Sequence, residues 1–422
     1  MSVAVMPRNL PAAAAGSFPD PLHSAPSIVI VGNGPVGFRL LQDLVSRQLH
    51  RRLQVTVFGE ERGLAYDRPG LTRMLTEDVS ESLVYQPLSW YEQHGIRMIT
   101  GDPVIGIDRS RRIVCSRSNR LVTYDQLILA TGSRSVIPAL AGFDLEGVFP
   151  CRTLDDLNAI RIYSRRCRSV AVLGGGPLGL EAAHGLAARG LNVYVVEKGP
   201  VLMPRQLDNA AAELLRRKVV SERLQCLLQR QPERISRISE GLHLELTSGE
   251  SLIVDMVVVA AGVRPRDELA RACQLPTGRR GGVLVDDQLR TSDPAICAIG
   301  ECAEHQGIVY GRPEPGFRMA EVVAEQLRGQ STEFSGFGTA MQVKIGEVEI
   351  RVAGDSLNLK GHTTLVHETT SSYTKLILEG NRVTGLMGVG PLPEFDELQE
   401  ALLQNRRLKW WHKRRFETSG RL

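Results

Sequence analysis

The sequence predicts an α/β protein made of two similar units and a smaller α+β unit after them. Three observations predict it. Two stretches run β-branched residues directly into Gly-x-Gly-x-x-Gly, one ending Gly32-Asn-Gly34-Pro35-Val-Gly37 and the other Gly174-Gly-Gly176-Pro177-Leu-Gly179. Each is closed, further along, by an apolar run that stops at a glycine, residues 124–132 and 252–262. From Phe334 onward the pattern changes to apolar/polar alternation, as in 342–345 and 373–378.

The first stretch, 28–37, shows why these residues form this element. An unbroken β-branched run reads as a strand buried on both faces. The first glycine permits the tight turn, the second lets backbone approach a pyrophosphate, and the third lets helix pack on strand. Pro35 and Pro177 occupy first helical positions, where a missing N–H costs nothing. The remaining N–H groups of each helix start are then free to face an anion. In the second copy the next strand ends at Glu197, about 20 residues on, where the fingerprint places an acid on the ribose hydroxyls. In the first copy Glu60 comes somewhat later, because His50-Arg51-Arg52 lengthens its loop. Two complete fingerprints, each with its strands and acid, point to two Rossmann-like dinucleotide-binding domains.

Composition narrows the alternatives. A chain of 422 residues accommodates two or three domains, and a net charge of +4 is too slight to indicate nucleic acid. Seven cysteines are scattered without any Cys-x-x-Cys, which argues against a redox disulfide, a zinc knuckle and an iron–sulfur cluster, so no metal site is expected. An odd cysteine count reads as reduced cytoplasmic thiols. No apolar run approaches the roughly 18 residues of a membrane span.

In chain order, 1–26 is rich in Ala and Pro and reads as a flexible leader. Residues 66–75 read as a turn feeding a helix, and 96–108 as short strands. Residues 291–303 form a strand ending at Gly300-Glu301, a glycine and carboxylate suited to a diphosphate or sugar contact. Pro315-Gly-Phe317 opens a helix through Leu327. Glu379-Gly380-Asn381 is a hairpin turn, and 395–408 a closing helix. The end, Lys409-Trp410-Trp411-His412-Lys413-Arg414-Arg415-Phe416, is basic and aromatic, readable as a solvated helix end or as a docking site for an acidic partner or membrane surface.

These residues resemble the FAD-dependent pyridine nucleotide-disulfide-type oxidoreductases, in the group of ferredoxin, rubredoxin and putidaredoxin reductases. Within it, Gly300-Glu301-Cys302-Ala303, with His305 and Val309-Tyr310-Gly311, is most similar to the flavoprotein half of assimilatory NAD(P)H nitrite reductase large subunits. Gln206-Leu207-Asp208 and Lys344-Ile-Gly-Glu-Val348 also match that subgroup. The resemblance implies FAD on the first fingerprint and NAD(P)H on the second. It implies an FAD-binding domain from 27–145 and 268–333, an NAD(P)H-binding domain over 146–267, a C-terminal α+β domain over 334–408 and a tail over 409–422.

Carried over residue by residue, the resemblance puts Gly32, Gly34, Pro35 and Gly37 at the FAD diphosphate and Glu60 near its ribose. Val104 would meet the adenine through its backbone. Arg68, Thr131, Gly132 and Gly300 would line the FAD, and Glu301 would accept from its ribityl chain. Gly174, Gly176, Pro177 and Gly179 would hold the nicotinamide cofactor, with Glu197 on its ribose and Gly262 at the closing strand end. Lys198 beside Glu197 could accommodate a 2′-phosphate, so NADH is expected, with NADPH the alternative. Arg73 and Glu181 stand where relatives carry a catalytic Lys–Glu pair beside the flavin. An arginine transfers protons poorly, so the expectation is an ion pair fixing the two cofactor domains.

Nitrite reductase large subunits continue into cysteine clusters, and this chain is expected to end before them. Its electrons would then pass to a redox partner protein: a nitrate or nitrite reductase first, a rubredoxin or ferredoxin second. A flavin-binding redox sensor with little turnover is the rival from another class.

Overall fold

The computed structural model describes residues 25–77, 82–138, 140–338, 340–357 and 362–422. Most of the expected leader, 1–24, lies outside the described residues. The chain divides into two compact units, one formed by 1–69, 80–134 and 263–337, the other by 70–79, 135–262 and 338–422.

In the first unit five parallel strands lie in the order Ile296–Ala298, Gln126–Leu129, Ser27–Val31, Gln54–Phe58, Arg97–Ile99. The side-chain alternation of a strand divides the apolar residues between two cores. Ile28, Ile30, Val55, Val57 and Ile128 face one, with Phe38 and Leu41 of the helix Pro35–Ser46 and Met319 and Val323 of the helix Pro313–Leu327. Val29, Val31, Phe58, Leu127 and Leu129 face the other, under the antiparallel strands Val104–Asp108, Ile113–Ser116 and Leu121–Thr123. Covering both faces explains why these strands are continuously apolar.

The second unit repeats the plan. Its parallel sheet runs Leu224–Leu228, Asn192–Glu197, Ser169–Leu173, Met256–Val259, Val148–Pro150. The apolar run over 252–262 proves to be two strands, Ser251–Val254 in an antiparallel ribbon and Met256–Val259 in the parallel sheet. Asp255 is the breakpoint, and its carboxylate accepts the backbone N–H groups of Arg168 (2.7 Å) and Ser169 (2.9 Å). Asp125 does the same for Ser27 (2.7 Å) in the first unit, so an acid clamps the start of the leading strand in each copy.

The C-terminal strands belong to this second unit. Five antiparallel strands run Ala340–Ile345, Val348–Gly354, Arg382–Val389, Tyr373–Glu379, Thr363–Glu368. The expected closing helix is shorter than read, Phe395–Leu403, because the stretch to Leu408 departs to join another helix, Trp410–Ser419. The basic tail is therefore built into the fold: Phe416 and Leu422 are buried in one cluster with Leu408, Leu365 and Leu376. Gly420, in the left-handed conformation (φ 73°), ends that helix. No helix among the described residues is long and apolar enough to cross a membrane.

Candidate functional site

The six fingerprint glycines fall into two kinds. A Cβ on Gly32 would collide with the carbonyl oxygen of Ala130, and one on Gly37 with that of Gly32. Gly174 and Gly179 stand in the same relation to Ala260 and Gly174. The middle glycines differ: a Cβ on Gly34 or Gly176 would meet nothing within 4 Å. The outer glycines thus serve turn and packing, and the middle ones face an open cradle. Gly34 and Gly176 are the N-caps of the helices Pro35–Ser46 and Pro177–Ala188, each with proline in the first turn and no side-chain cap. The N–H groups of both helix starts are left for a ligand.

Both cradles suit a dinucleotide. The side-chain amide of Asn33, between the first two glycines, has its oxygen and nitrogen buried without a protein partner among the described residues, and a buried amide calls for one. In the second unit Glu197 ends its strand buried, its two oxygens accepting the N–H groups of Gly175 and Gly199, each at 2.7 Å. That fixes a carboxylate against the glycine loop.

Several of the remaining first-unit residues lie just beyond the C-terminal ends of parallel strands. Thr131 Oγ1 donates to the carbonyl of Arg266 (2.7 Å), and the N–H of Arg266 to the carbonyl of Gly132 (2.9 Å). The Arg266 guanidinium pairs with Glu60. Arg266, not singled out in the sequence, thus ties the Glu60 turn to the 131–132 strand end. Glu301, in the single turn Gly300–Cys302, accepts from Ser133 Oγ (2.8 Å). Arg68 pairs with Glu61 (2.5 Å) and lies over the Tyr66 ring (4.8 Å). Burial would lower its affinity for a proton, but Tyr66, Glu61 and Glu301 nearby raise it. Val104 begins its strand with its side chain buried in the core.

The expected Arg73–Glu181 ion pair is not formed. Both residues fall in the second unit. Arg73 is exposed, while Glu181 Oε2 accepts from Thr72 Oγ1 at 3.0 Å. Without a cation beside it, burial pushes the Glu181 carboxyl up to about 7, with the Thr72 hydrogen bond opposing the rise. No sequence signal marks Thr72, since hydroxyls occur throughout surface turns. Gly262, at the closing strand end, has φ 105°, and its carbonyl accepts from Val136 (2.9 Å).

All seven cysteines are free, and burial pushes every thiol up, Cys151 and Cys297 to about 12. His305 lies buried with Nε2 2.8 Å from Asp287, a structural contact. Among the described residues no group of three or more His, Cys, Asp or Glu side chains is arranged to hold a metal.

Residues 26–324 match the family described as pyridine nucleotide-disulphide oxidoreductase. The chain belongs to that family. It is an NAD(P)H-dependent oxidoreductase of the pyridine nucleotide-disulphide oxidoreductase fold, and its cofactors are FAD and NAD(P)H. It is 39% identical over 386 residues to the large subunit of nitrite reductase [NAD(P)H] from Klebsiella oxytoca, covering 90% of this chain and 40% of that one. It is 32% identical over 401 residues to the assimilatory nitrate reductase electron transfer subunit of Bacillus subtilis, covering 94% and 52%. This chain therefore spans about half the length, or less, of these two curated relatives. Among solved structures of the oxidoreductase fold, the ferredoxin reductase for the CYP199A2 system from Rhodopseudomonas palustris superposes with a TM-score of 0.81 at 26% identity, covering 91% of this chain and 96% of that one.

Proposed function

We propose that this oxidoreductase takes electrons from NADH and delivers them to a partner redox protein in nitrate or nitrite assimilation. The state of the seven thiols carries the reading. A dithiol that exchanges with a disulfide needs an accessible thiolate, and here burial pushes every cysteine thiol above its ordinary value. Electrons arriving on this chain then have no internal disulfide to reduce. The similarity to a nitrate reductase electron transfer subunit over 94% of the chain supports the same direction of flow.

Each group of residues has its part. The cradles at Gly34 and Gly176 would hold the diphosphates of FAD and NADH. Glu60, Arg68, Thr131, Gly132, Gly300 and Glu301 would line the FAD, and Glu197 would select NADH. FAD, when bound, supplies hydride acceptance from the nicotinamide and release of electrons singly or in pairs. Free thiols throughout suit a reducing compartment, the cytoplasm.

A second reading is a reductase for a ferredoxin or rubredoxin of another pathway. It is favoured by coverage of 96% of a ferredoxin reductase, against 40% of the nitrite reductase subunit.

The purified protein should be yellow, with one non-covalently held FAD per chain. Anaerobic NADH should bleach it, and one-electron dyes should restore the colour. A folded, colourless chain that takes up no FAD would refute the reading. Turnover with a nitrite or nitrate reductase component but not with ferredoxin or rubredoxin would favour the first acceptor class over the second.

A further inference from the structure

The helix Trp410–Ser419 has two faces with different roles. Phe416 turns inward and is fully buried, and the helix packs along the strand Thr363–Glu368. Trp410 remains 69% exposed and Trp411 46%, with Leu403 of the preceding helix 76% exposed. Within a few residues of these indoles in the chain lie Arg406, Arg407, Lys409, Lys413, Arg414 and Arg415. Among the described residues none of the six pairs with a carboxylate, although ion pairs are frequent elsewhere; Lys413 Nζ donates to the neutral amide oxygen of Asn381 (2.9 Å). The nearby acids are partly committed: Glu394 pairs with Arg421 (2.6 Å) and Asp396 with Arg351. Glu417 is the one acid on the helix itself. Lys409 Nζ lies 4.8 Å over the Trp411 ring, and Trp410 and Trp411 meet edge to face at 5.8 Å. The crowding of positive charge registers on His412: burial, then Arg406, Lys409 and Arg415, push its imidazole below the ordinary value.

We infer that this patch, Trp410 and Trp411 beside six cations that have no carboxylate partner among the described residues, is the docking surface for an acidic electron-carrier protein. The inference rests on the reading of the chain as an exporter of electrons, in its second form, with a small carrier of the ferredoxin or rubredoxin kind as acceptor. Unpaired like charges repel one another and cost stability, so a cluster of six suits a surface that meets an anionic counterpart. Exposed tryptophan beside arginine is the composition of interface hot spots, where an aromatic anchor is buried and a charged rim steers the encounter. A membrane surface fits less well. Helices that lie in a bilayer interface turn a broad apolar face to the lipid, whereas the buried aromatic of this one, Phe416, is spent on the protein's own core.

The test is binding, measured by calorimetry on the full FAD-loaded chain with two acidic probes, a [2Fe–2S] ferredoxin and a rubredoxin, and with vesicles containing anionic lipid. Truncation is unsuitable, because it would remove Phe416 and Leu422 from the core. The variants are Trp410→Ala and the charge reversal Lys409→Glu/Arg414→Glu/Arg415→Glu, all at exposed positions, with thermal melting as the check on folding. At least one acidic probe should bind the wild type. Its affinity should fall tenfold or more in each variant, and likewise on raising salt from 50 to 300 mM, since ions screen exposed pairs within about 10 Å. Equal binding by the reversed variant, binding of neither protein, or binding of vesicles alone would each overturn the inference. NADH-dependent dye reduction is read separately. Its loss in the wild type would refute the electron-exporting reading, whereas unaltered dye reduction with unaltered binding in the variants would refute only the docking surface.

Discussion

Thr72 Oγ1 donates to Glu181 Oε2 across 3.0 Å, and this single neutral donor takes the place of the cation expected there. Burial, only partly opposed by that hydrogen bond, pushes the carboxyl up to about 7 in the folded chain, against an ordinary value of 4.5. A raised folded value in an acid means that the folded state binds the proton more tightly. Its linked stability is full below about pH 4.5 and is lost as pH rises through 7. Glu181→Gln removes the titration. The wild type should lose stability relative to this variant between pH 4.5 and 7.5, by at most about 3 kcal/mol. Urea unfolding at a series of pH values measures the difference; a flat difference across that range would show that Glu181 is ionised throughout.

The two kinds of glycine predict opposite failures. Gly34→Ala adds a methyl group where there is open space, so the chain should fold with nearly unchanged melting temperature yet lose FAD affinity. Gly37→Ala drives a methyl into the Gly32 carbonyl, and the helix–strand contact should fail, costing several kcal/mol as overpacking does. Flavin content and melting temperature, measured together, separate the outcomes. Equal melting temperatures would refute the distinction.

Glu197 is predicted to decide between NADH and NADPH. Its carboxylate is anchored by the N–H groups of Gly175 and Gly199 and stays buried beside the second cradle. Glu197→Gln keeps the size and removes the charge. The ratio of kcat/KM for NADH over NADPH should fall by about tenfold or more, the order expected for one like-charge repulsion of 1–2 kcal/mol. Steady-state dye reduction with both nucleotides reads it directly, and an unchanged ratio would remove Glu197 from the specificity set.

Lys375 is nearly buried, and its Nζ lies 2.7 Å from Asp208 Oδ2, which Tyr373 also reaches at 3.0 Å. Asp208 in turn caps the helix Asn209–Val219 through the N–H of Ala211 (3.0 Å). Burial alone would raise the Asp208 carboxyl, but Lys375, Ala211 and Tyr373 hold it below the ordinary value. Stability from a lowered acid is present above its unfolded pKa and is lost as pH falls. Lys375→Met leaves the carboxylate without its cation and should cost about 3 kcal/mol at neutral pH. The added change Asp208→Asn should recover part of that loss. Denaturant midpoints of the single and double variants give the coupling, and strict additivity would mean that the two residues do not act together.

What could be read in advance follows the range of the interaction. The two glycine turns, their strands and the first-turn prolines are local, so the residues that make them lie side by side in the chain. Asp125 and Asp255 each stand at the head of an apolar strand, and only the sheet registry shows what they clamp. Arg266 on Glu60 and Thr72 on Glu181 join residues far apart in sequence, and no local pattern selects them. The terminal helix was hidden for another reason. Its indoles and cations look like a solvated end, and the one residue that folds it inward, Phe416, carries no periodic signal within ten residues.

The edge strand Ile296–Ala298 also bears on how the chain is made. Its neighbour in the first sheet, Gln126–Leu129, leaves the ribosome long before it, and all of 135–262 is translated in between. At cellular rates of synthesis that interval is on the order of ten seconds. The five parallel strands of the second unit lie wholly within this interval, from Val148 to Val259, and can pair while the earlier sheet still has an open side. For that time Gln126–Leu129 is an unprotected, mostly apolar edge, the kind of strand on which nascent chains aggregate. Production of this protein should therefore be limited by conditions during translation more than by the stability of the finished molecule, and slower synthesis at low temperature or added chaperone should raise its soluble yield.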